Sequence, residues 1–322
     1  MAKSTPILIG AGAFGLSTAL HLSRAGYTHI TVVGKDDAVP ARYSAANGLH
    51  KIVRAEYEDA FYRELALVWQ FHDGPLTGQR SYLNRYAGYA QSGHALAAVH
   101  GHLCKTGVRF RLGSGKVVEI SYETPSESAS GAGRIARGVK TVDGSFCPTK
   151  LVIVAMGAWA SRLIPEIGSQ AVAKCWSVAH VQLTDEAEEA SALKGIPVTY
   201  ARDLGFFFEP DPRTNLLKLR LAALEGFVQE SIPGDDERKL RRLLAHTLPA
   251  LAERPLVKRC LCWLADTSDS DYIIDYVPGT LSSVIVMSGD SGHGFKMFPI
   301  AGSWVTDVLK ATDGKQHEAH WR

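Results

Sequence analysis

Residues Pro6–Leu22, PILIGAGAFGLSTALHL, constrain the fold of this chain more than any other stretch. An apolar run enters three glycines, Gly10, Gly12 and Gly15, and helix-compatible residues follow at once until Gly26. Each glycine answers a separate physical need: Gly10 permits a tight turn out of a strand, Gly12 lets backbone approach a pyrophosphate, and Gly15 lets helix and strand pack closely. The start of the helix then turns free N–H groups and the positive end of its dipole toward the phosphates. A second strand-like run, His29–Val33, follows at the distance of a βαβ unit. Glycine turns also occur as plain strand–turn–helix corners, but this sequence of strand, glycines, helix and strand predicts a dinucleotide site.

One expected piece is missing. An Asp or Glu at the end of the second strand usually accepts a hydrogen bond from the adenosine ribose, yet Thr31-Val32-Val33 runs into Gly34 and Lys35. Asp36 or Asp37, slightly further on, stands as a substitute; otherwise ribose binding is weakened.

The chain has 322 residues, 46% hydrophobic and 21% charged, which fits two domains, or one large domain with an inserted lobe, and excludes a disordered or fibrous chain. A net charge of +2 with signs intermingled gives no basic face, so neither nucleic acid nor an anionic membrane is expected as a partner. No apolar run approaches the ~20 residues of a membrane span and the N-terminus lacks a signal pattern, so a soluble intracellular protein is expected. Five cysteines, Cys104, Cys147, Cys175, Cys260 and Cys262, form no disulfide framework and suggest reduced thiols. Cys260-x-Cys262 is too close for a usual disulfide or zinc knuckle, and no metal site is expected.

Ser44–Asp59, SAANGLHKIVRAEYED, is polar and basic around Ile52 and Val53; it reads as a surface loop or as a segment running along a cofactor with Lys51 and Arg54 presented. Phe61, Leu65, Val68, Trp69 and His72 recur at three- and four-residue steps, which predicts an amphipathic helix over Asp59–Asp73 with its stripe in the core. After a turn at Gly74–Gln79, a helix is expected near Ser92–Lys105, closed by Gly107, then a strand at Val108–Leu112. Glu123–Gly133 is low in complexity and reads as a hairpin tip. Leu151–Ala155 is a buried strand ending in the small-residue turn Met156-Gly157-Ala158-Trp159, suited to backbone contact with a cofactor at the carboxyl end of a parallel sheet. From Val172 to Phe227 short alternating runs, Ser177–Leu183, Gly205–Glu209 and Leu216–Leu221, predict an antiparallel sheet. Asp236–Leu248 reads as a helix, Cys260–Thr267, Tyr272–Tyr276 and Ser283–Ser288 as strands, Gly289–Phe295 as a turn and Pro299–Leu309 as a helix. Cofactor-type turns thus sit near both ends of the chain.

With these residues in hand, the sequence resembles the D-amino-acid-oxidase-like flavoproteins, in particular the monomeric sarcosine oxidase, fructosyl amino acid oxidase and saccharopine oxidase group. Four segments carry the likeness: GAGAFG at Gly10–Gly15, NGLHKIVRAEYED at Asn47–Asp59, CWLADTSDSDYIID at Cys262–Asp275 and SGHGFK at Ser291–Lys296. The resemblance implies FAD as cofactor, contacted at Gly10, Gly12, Ala13, Phe14, Gly15, Lys35, Ser44, Lys51, Val118, Ala155, Gly157, Trp159, Gly292, Gly294, Phe295 and Lys296. It further implies a thioether from the flavin to Cys262; by chemistry alone Cys260, one pleat away on the same strand face, is the rival. Arg54 and Lys296 resemble a clamp on the substrate carboxylate, a task to which an Arg fork is suited. Lys218 resembles the lysine that helps oxygen accept electrons, and independently a Lys inside an apolar strand is costly to bury unless it has a use. Lys51 resembles the basic residue facing the flavin, with His50 a weaker candidate.

The resemblance implies an α/β fold, α+β overall: a discontinuous Rossmann-like FAD-binding domain from residues 1–68, 90–173 and 256–322, and a reduced antiparallel-sheet substrate lobe from 69–89 and 174–255. It implies an amine oxidase that takes a secondary-amine amino acid of the sarcosine, fructosyl amino acid, saccharopine or pipecolate type to an imine and reduces O2 to H2O2, acting as a monomer. The chain departs from the group in being shorter, by a segment expected between Gln79 and Arg80, so a non-catalytic flavin-binding remnant and a tailoring amine oxidase of specialised metabolism stay open. Cytoplasmic and peroxisomal locations are both compatible, although the peroxisomal tripeptide is absent from the terminus Ala319-His320-Trp321-Arg322.

Overall fold

The structure, a computed structural model, describes residues 5–53, 67–70, 80–83, 87–123, 133–184, 189–201, 204–221, 232–311, 315–318 and 321. The chain divides into two compact units. The first comprises Met1–Asn47, Ser92–Lys174 and Trp263–Arg322; the second comprises Gly48–Gln91 and Cys175–Cys262. Residues 48–68 and 256–262 thus fall in the second unit, whereas the sequence expectation put them in the cofactor domain.

The first unit is built on a six-stranded sheet in the order Ile273–Tyr276, Val284–Ser288, Val152–Val154, Ile7–Ile9, Thr31–Val33, Arg109–Arg111. All neighbours are parallel except Ile273–Tyr276, which runs antiparallel to Val284–Ser288. Alternation along each strand sends side chains to opposite faces. Leu8, Val32, Ile153 and Ile285 meet Leu16, Ala19 and Leu22 of the helix Ala13–Arg24, Leu96 and Leu103 of the helix Ser92–Lys105, and Val305 of the helix Ala301–Lys310. Ile7, Ile9, Val152, Val154 and Val286 pack on the other face against Val117, Ile120, Ala136 and Val139. Those four belong to a three-stranded antiparallel sheet, Phe146–Pro148, Ile135–Thr141, Val117–Glu123. Coverage on both faces is why these strands read as unbroken apolar runs; each fully buried aliphatic side chain contributes about 1.5–3 kcal/mol. A charge at Ile153, fully buried in the middle strand, would remove that gain and leave an unpaired ion in the core.

Gly302 holds two of the helices together at close range. A Cβ there would lie 2.2 Å from the Ser17 carbonyl oxygen, and its N–H donates to the Ser17 hydroxyl at 2.8 Å.

The second unit carries a five-stranded sheet in the order Thr199–Ala201, Gly205–Phe207, Leu216–Arg220, Ala171–Gln182, Leu256–Thr267, the last two strands beginning or ending in the first unit. The helix Gly234–Thr247 buries Leu240, Leu243 and Leu244, and its Asp236 carboxylate accepts from the Ser177 hydroxyl at 2.5 Å. A short antiparallel pair sets Lys51–Val53 against Gly88–Ala90, with Ile52 opposite Tyr89.

The expected helix over Asp59–Asp73 is corrected where it is described: Leu67–Gln70 is a strand paired antiparallel with Arg80–Leu83. A short run of Leu, Val and Trp suits a pleated surface as well as a helix, and the partner strand decides. Residues 59–66, 71–73 and the turn expected at Gly74–Gln79 lie outside the described residues. The turn after Val154 is a 3-10 helix, Gly157–Arg162, rather than an open loop. Strands Val117–Glu123 and Ile135–Thr141 pair as the expected hairpin, whose tip, 124–132, lies outside the described residues. Among the described residues no helix is long and apolar enough to cross a membrane.

Candidate active site

In the first unit the glycine turn has the build that a phosphate cradle requires. Gly10 takes φ +116°, donates its N–H to the Val33 carbonyl at 2.9 Å, and has no room for a Cβ, which would sit 2.3 Å from the Ala155 carbonyl oxygen. Gly15 is tighter still: its Cβ would fall 1.8 Å from the Gly10 oxygen. Gly12, the residue ahead of the helix Ala13–Arg24, differs from both, since a Cβ there would meet nothing closer than the Ser44 hydroxyl at 3.7 Å. The space it leaves is open. No side chain caps this helix and no acid stands in its first turn, so its N–H groups and dipole face that space without an internal anion. Phe14 meets the Tyr272 ring edge-on at 5.8 Å.

At the end of the second strand, where the ribose acid was missed, Gly34 donates to the Arg111 carbonyl at 2.9 Å. Lys35 pairs with Asp36 at 3.2 Å and lies over the rings of Tyr43 and Trp159, at 5.1 and 5.8 Å. Of the two substitutes for the acid, Asp36 is therefore already engaged by a neighbouring cation. Ala155 donates to the Ile9 carbonyl, Gly157 takes φ +53° with nothing within 4 Å of a Cβ, and Trp159 tilts on Trp263. Val118 sits at a bulge in its strand with its side chain half exposed.

The SGHGFK turn is fastened by side chains that the sequence reading passed over. The Asp290 carboxylate accepts from Ala265 N–H at 2.9 Å, and Ser291 N–H donates to the Ala265 carbonyl at 2.8 Å. His293 contacts the Ser270 carbonyl through Nε2 at 2.8 Å and the Tyr272 hydroxyl through Nδ1 at 2.7 Å. A carbonyl only accepts, so Nε2 carries the hydrogen and Nδ1 takes the tyrosine proton. Burial, reinforced by Lys296, pulls the ring below the ordinary histidine value and keeps that neutral tautomer. Gly292 takes φ +76°; a Cβ on Gly294 would come within 2.7 Å of Asp290 Cβ. Phe295 stacks on Phe298, and Lys296 follows in the short 3-10 turn Phe295–Met297.

The second unit gathers Lys51, Lys218, Arg220 and Cys262. Lys51 donates to Cys262 Sγ at 3.2 Å. Burial pushes the Cys262 thiol up, but Lys51, Arg220 and Lys218 together outweigh it and hold the thiol below its ordinary value. Cys260 goes the other way: burial, with the neighbouring Cys262, raises it despite the same two lysines. The two cysteines that chemistry alone left equal are thereby set apart by their surroundings, Cys262 held below the ordinary thiol value and Cys260 above it.

Lys218 is 2% exposed in a strand whose five residues are all buried, so its ammonium points inward. It donates to the His50 carbonyl at 2.5 Å and lies 5.3 Å from the Phe208 ring. Burial lowers it well below the ordinary lysine value, and Lys51 adds to that. Arg220 lies with its guanidinium 3.2 Å from the Trp176 ring centre, two residues along from Lys218 in the same run. That spacing was visible in the sequence as a second cation on the same strand face, and it went unused. Arg54 lies outside the described residues.

Comparison with known proteins places the chain among flavin-dependent oxidoreductases. L-saccharopine oxidase of Schizosaccharomyces pombe is 27% identical over 405 aligned positions, covering 99% of this chain and 92% of that enzyme. Those positions outnumber the 322 residues here, so the relative carries segments that this chain lacks. Monomeric sarcosine oxidase of a Bacillus species is 28% identical over 189 residues, 55% of this chain and 47% of that enzyme. The crystal structure of the deglycating enzyme fructosamine oxidase (Amadoriase II) of Aspergillus fumigatus superposes with a TM-score of 0.81 at 28% identity, over 96% of this chain and 86% of that one. Residues 75–308 match the family model described as DAO, FAD dependent oxidoreductase. The glycine turn, the resemblance read from four sequence segments and this match converge: the chain belongs to the DAO family of FAD-dependent oxidoreductases.

Proposed function

We propose that this oxidoreductase oxidises the C–N bond of a secondary-amine amino acid with O2 as acceptor, and that its FAD is attached through Cys262. The observation that carries the reading is the Lys51–Cys262 contact at 3.2 Å beside Lys218 and Arg220, which makes one buried thiol unusually acidic. The residues present fit FAD: Gly10 and Gly15 close a turn no larger residue would allow, Gly12 leaves open space, and an uncapped helix start faces it.

When bound, FAD accepts a hydride from the substrate carbon next to nitrogen and returns the electrons to O2 as H2O2. The work of the polypeptide is to bind, orient and charge the site. The glycine turn holds the pyrophosphate. Lys51 donates to the Cys262 sulfur and favours its thiolate. Cys262 would hold the flavin through a C–S bond to its methyl carbon, formed in place of an S–H and a C–H bond, with O2 as the class of oxidant that would take up the two electrons and two protons. Lys296 and Arg54 hold the substrate carboxylate, as the resemblance implies, and the buried ammonium of Lys218 stabilises negative charge developing on oxygen in surroundings poor in water.

Acid denaturation of the purified protein tests the attachment: yellow colour should stay on the wild-type chain and on Cys260→Ala, and leave with Cys262→Ala. Colour released from wild type, or by Cys260→Ala alone, would overturn it. Anaerobic mixing with sarcosine, pipecolate, saccharopine and a fructosyl amino acid tests the reaction. Bleaching of the 450 nm region (approximate position of oxidised flavin absorbance) by at least one is expected, and a silent panel would leave the flavin-binding remnant as the better description.

A further inference from the structure

The second unit contains a feature that neither the family assignment nor the proposed reaction requires. Lys218 does not lie in a generic polar cavity. Its ammonium is bracketed by the backbone of residues 48–50 on one side and the Phe208 ring on the other. The His50 carbonyl accepts its proton at 2.5 Å, and the ring centre lies 5.3 Å away. On the same backbone, a Cβ on Gly48 would stand 3.0 Å from Lys218 Nζ and 3.9 Å from Cε, with no other described atom outside its chain neighbours within 4 Å. That distance is below ordinary van der Waals contact, so the amine occupies the space a side chain at position 48 would need.

Gly48 does not take the left-handed backbone that favours glycine. Alanine is therefore compatible with its backbone, and what it would disturb is the end of Lys218. The other side of the bracket is stiff. The His50 ring meets Tyr89 edge-on at 4.5 Å and lies tilted against Phe208 at 5.3 Å. Tyr89 is bound through its hydroxyl to Glu209, whose other oxygen accepts from Gly195 N–H at 2.7 Å. With His50 held by these rings, an added Cβ would move the end of the Lys218 side chain by a few tenths of an ångström along its own stem.

We propose that Gly48 and the His50 carbonyl form a backbone notch that fixes the Lys218 ammonium, making Gly48 a positioning residue for the reaction with oxygen. Electrostatic stabilisation of a developing charge depends on where the cation stands, and a preorganised cation needs no reorganisation during the step. The inference rests on the reading that Lys218 serves the oxygen reaction.

Stopped-flow measurement of the two half-reactions on the flavin-loaded enzyme separates the possibilities. Gly48→Ala should leave anaerobic reduction by substrate within about twofold of wild type and slow reoxidation by O2 at least tenfold. Gly48→Ser, whose hydroxyl can accept from the ammonium, should lie between wild type and Gly48→Ala. Combined with Lys218→Met, Gly48→Ala should add nothing to the slowing that Lys218→Met produces alone. The notch is overturned if Gly48→Ala leaves reoxidation unchanged while Lys218→Met slows it, if it slows both half-reactions equally, or if the two substitutions multiply. Unchanged reoxidation in Lys218→Met overturns the underlying reading of Lys218 instead, and the notch with it.

Discussion

His180 stands opposite Lys218 in the antiparallel register and donates to the Lys258 carbonyl through Nδ1 at 3.1 Å. Since a carbonyl only accepts, Nδ1 carries the hydrogen. Burial, with the charge of Lys218 adding to it, takes the imidazole down to about 4. A histidine whose folded value lies below its unfolded one stabilises the fold in its neutral form. That stabilisation is fully present above pH ~6.5 and is lost as pH falls toward 4. The span corresponds to about 3 kcal/mol. Thermal unfolding followed from pH 7 to 4 should therefore show a steep loss in wild type that His180→Asn largely flattens; parallel curves would refute the assignment. At this scale the sequence was uneven. The burial of Lys218 was legible, because leucines flank it on both sides. The difference between Cys260 and Cys262 was not, because it comes from charges on Lys51 and Arg220, which reach the thiol from other strands.

Elements were read well where one period dominated and both ends carried signals. Ser92–Lys105 closes at Thr106-Gly107, with Gly107 at φ +89°, and the strands Val152–Val154 and Val284–Ser288 are apolar up to the final Ser288 because both faces are covered. Leu67–Gln70 was misread because its apolar residues satisfy a helical spacing while its partner, Arg80–Leu83, lies further along the chain. Gly302 escaped notice for another reason: a glycine early in a helix looks like a weak position, and only the approach of the helix Ala13–Arg24 gives it a purpose. Gly302→Ala should cost about 1–3 kcal/mol by overpacking against Ser17. Chemical denaturation should show an unchanged slope and an earlier midpoint; an unchanged midpoint would mean the helices separate without penalty.

For the molecule as a whole, a covalent cofactor and a dissociable one have different thermodynamic signatures. If FAD is attached through Cys262, the melting temperature of wild type should not respond to added FAD. Cys262→Ala should respond, gaining about 2.7 kcal/mol when free FAD reaches a hundredfold its dissociation constant. A wild-type melting temperature that climbs with added FAD would sink the covalent reading. The fold class was legible from the first glycine turn and the alternating runs after Val172. The division of the chain at residues 48 and 262 was not, since nothing in local sequence says which unit a strand such as Leu256–Thr267 will serve.

The bare start of the helix Ala13–Arg24 also reaches beyond the purified enzyme. No side chain caps this helix and no acid stands in its first turn, so its first N–H groups are available to a phosphate of the cofactor. Part of the closing of the polypeptide is thus handed to a vitamin derivative. A chain folded without FAD would lack that closing and be the more open to proteases.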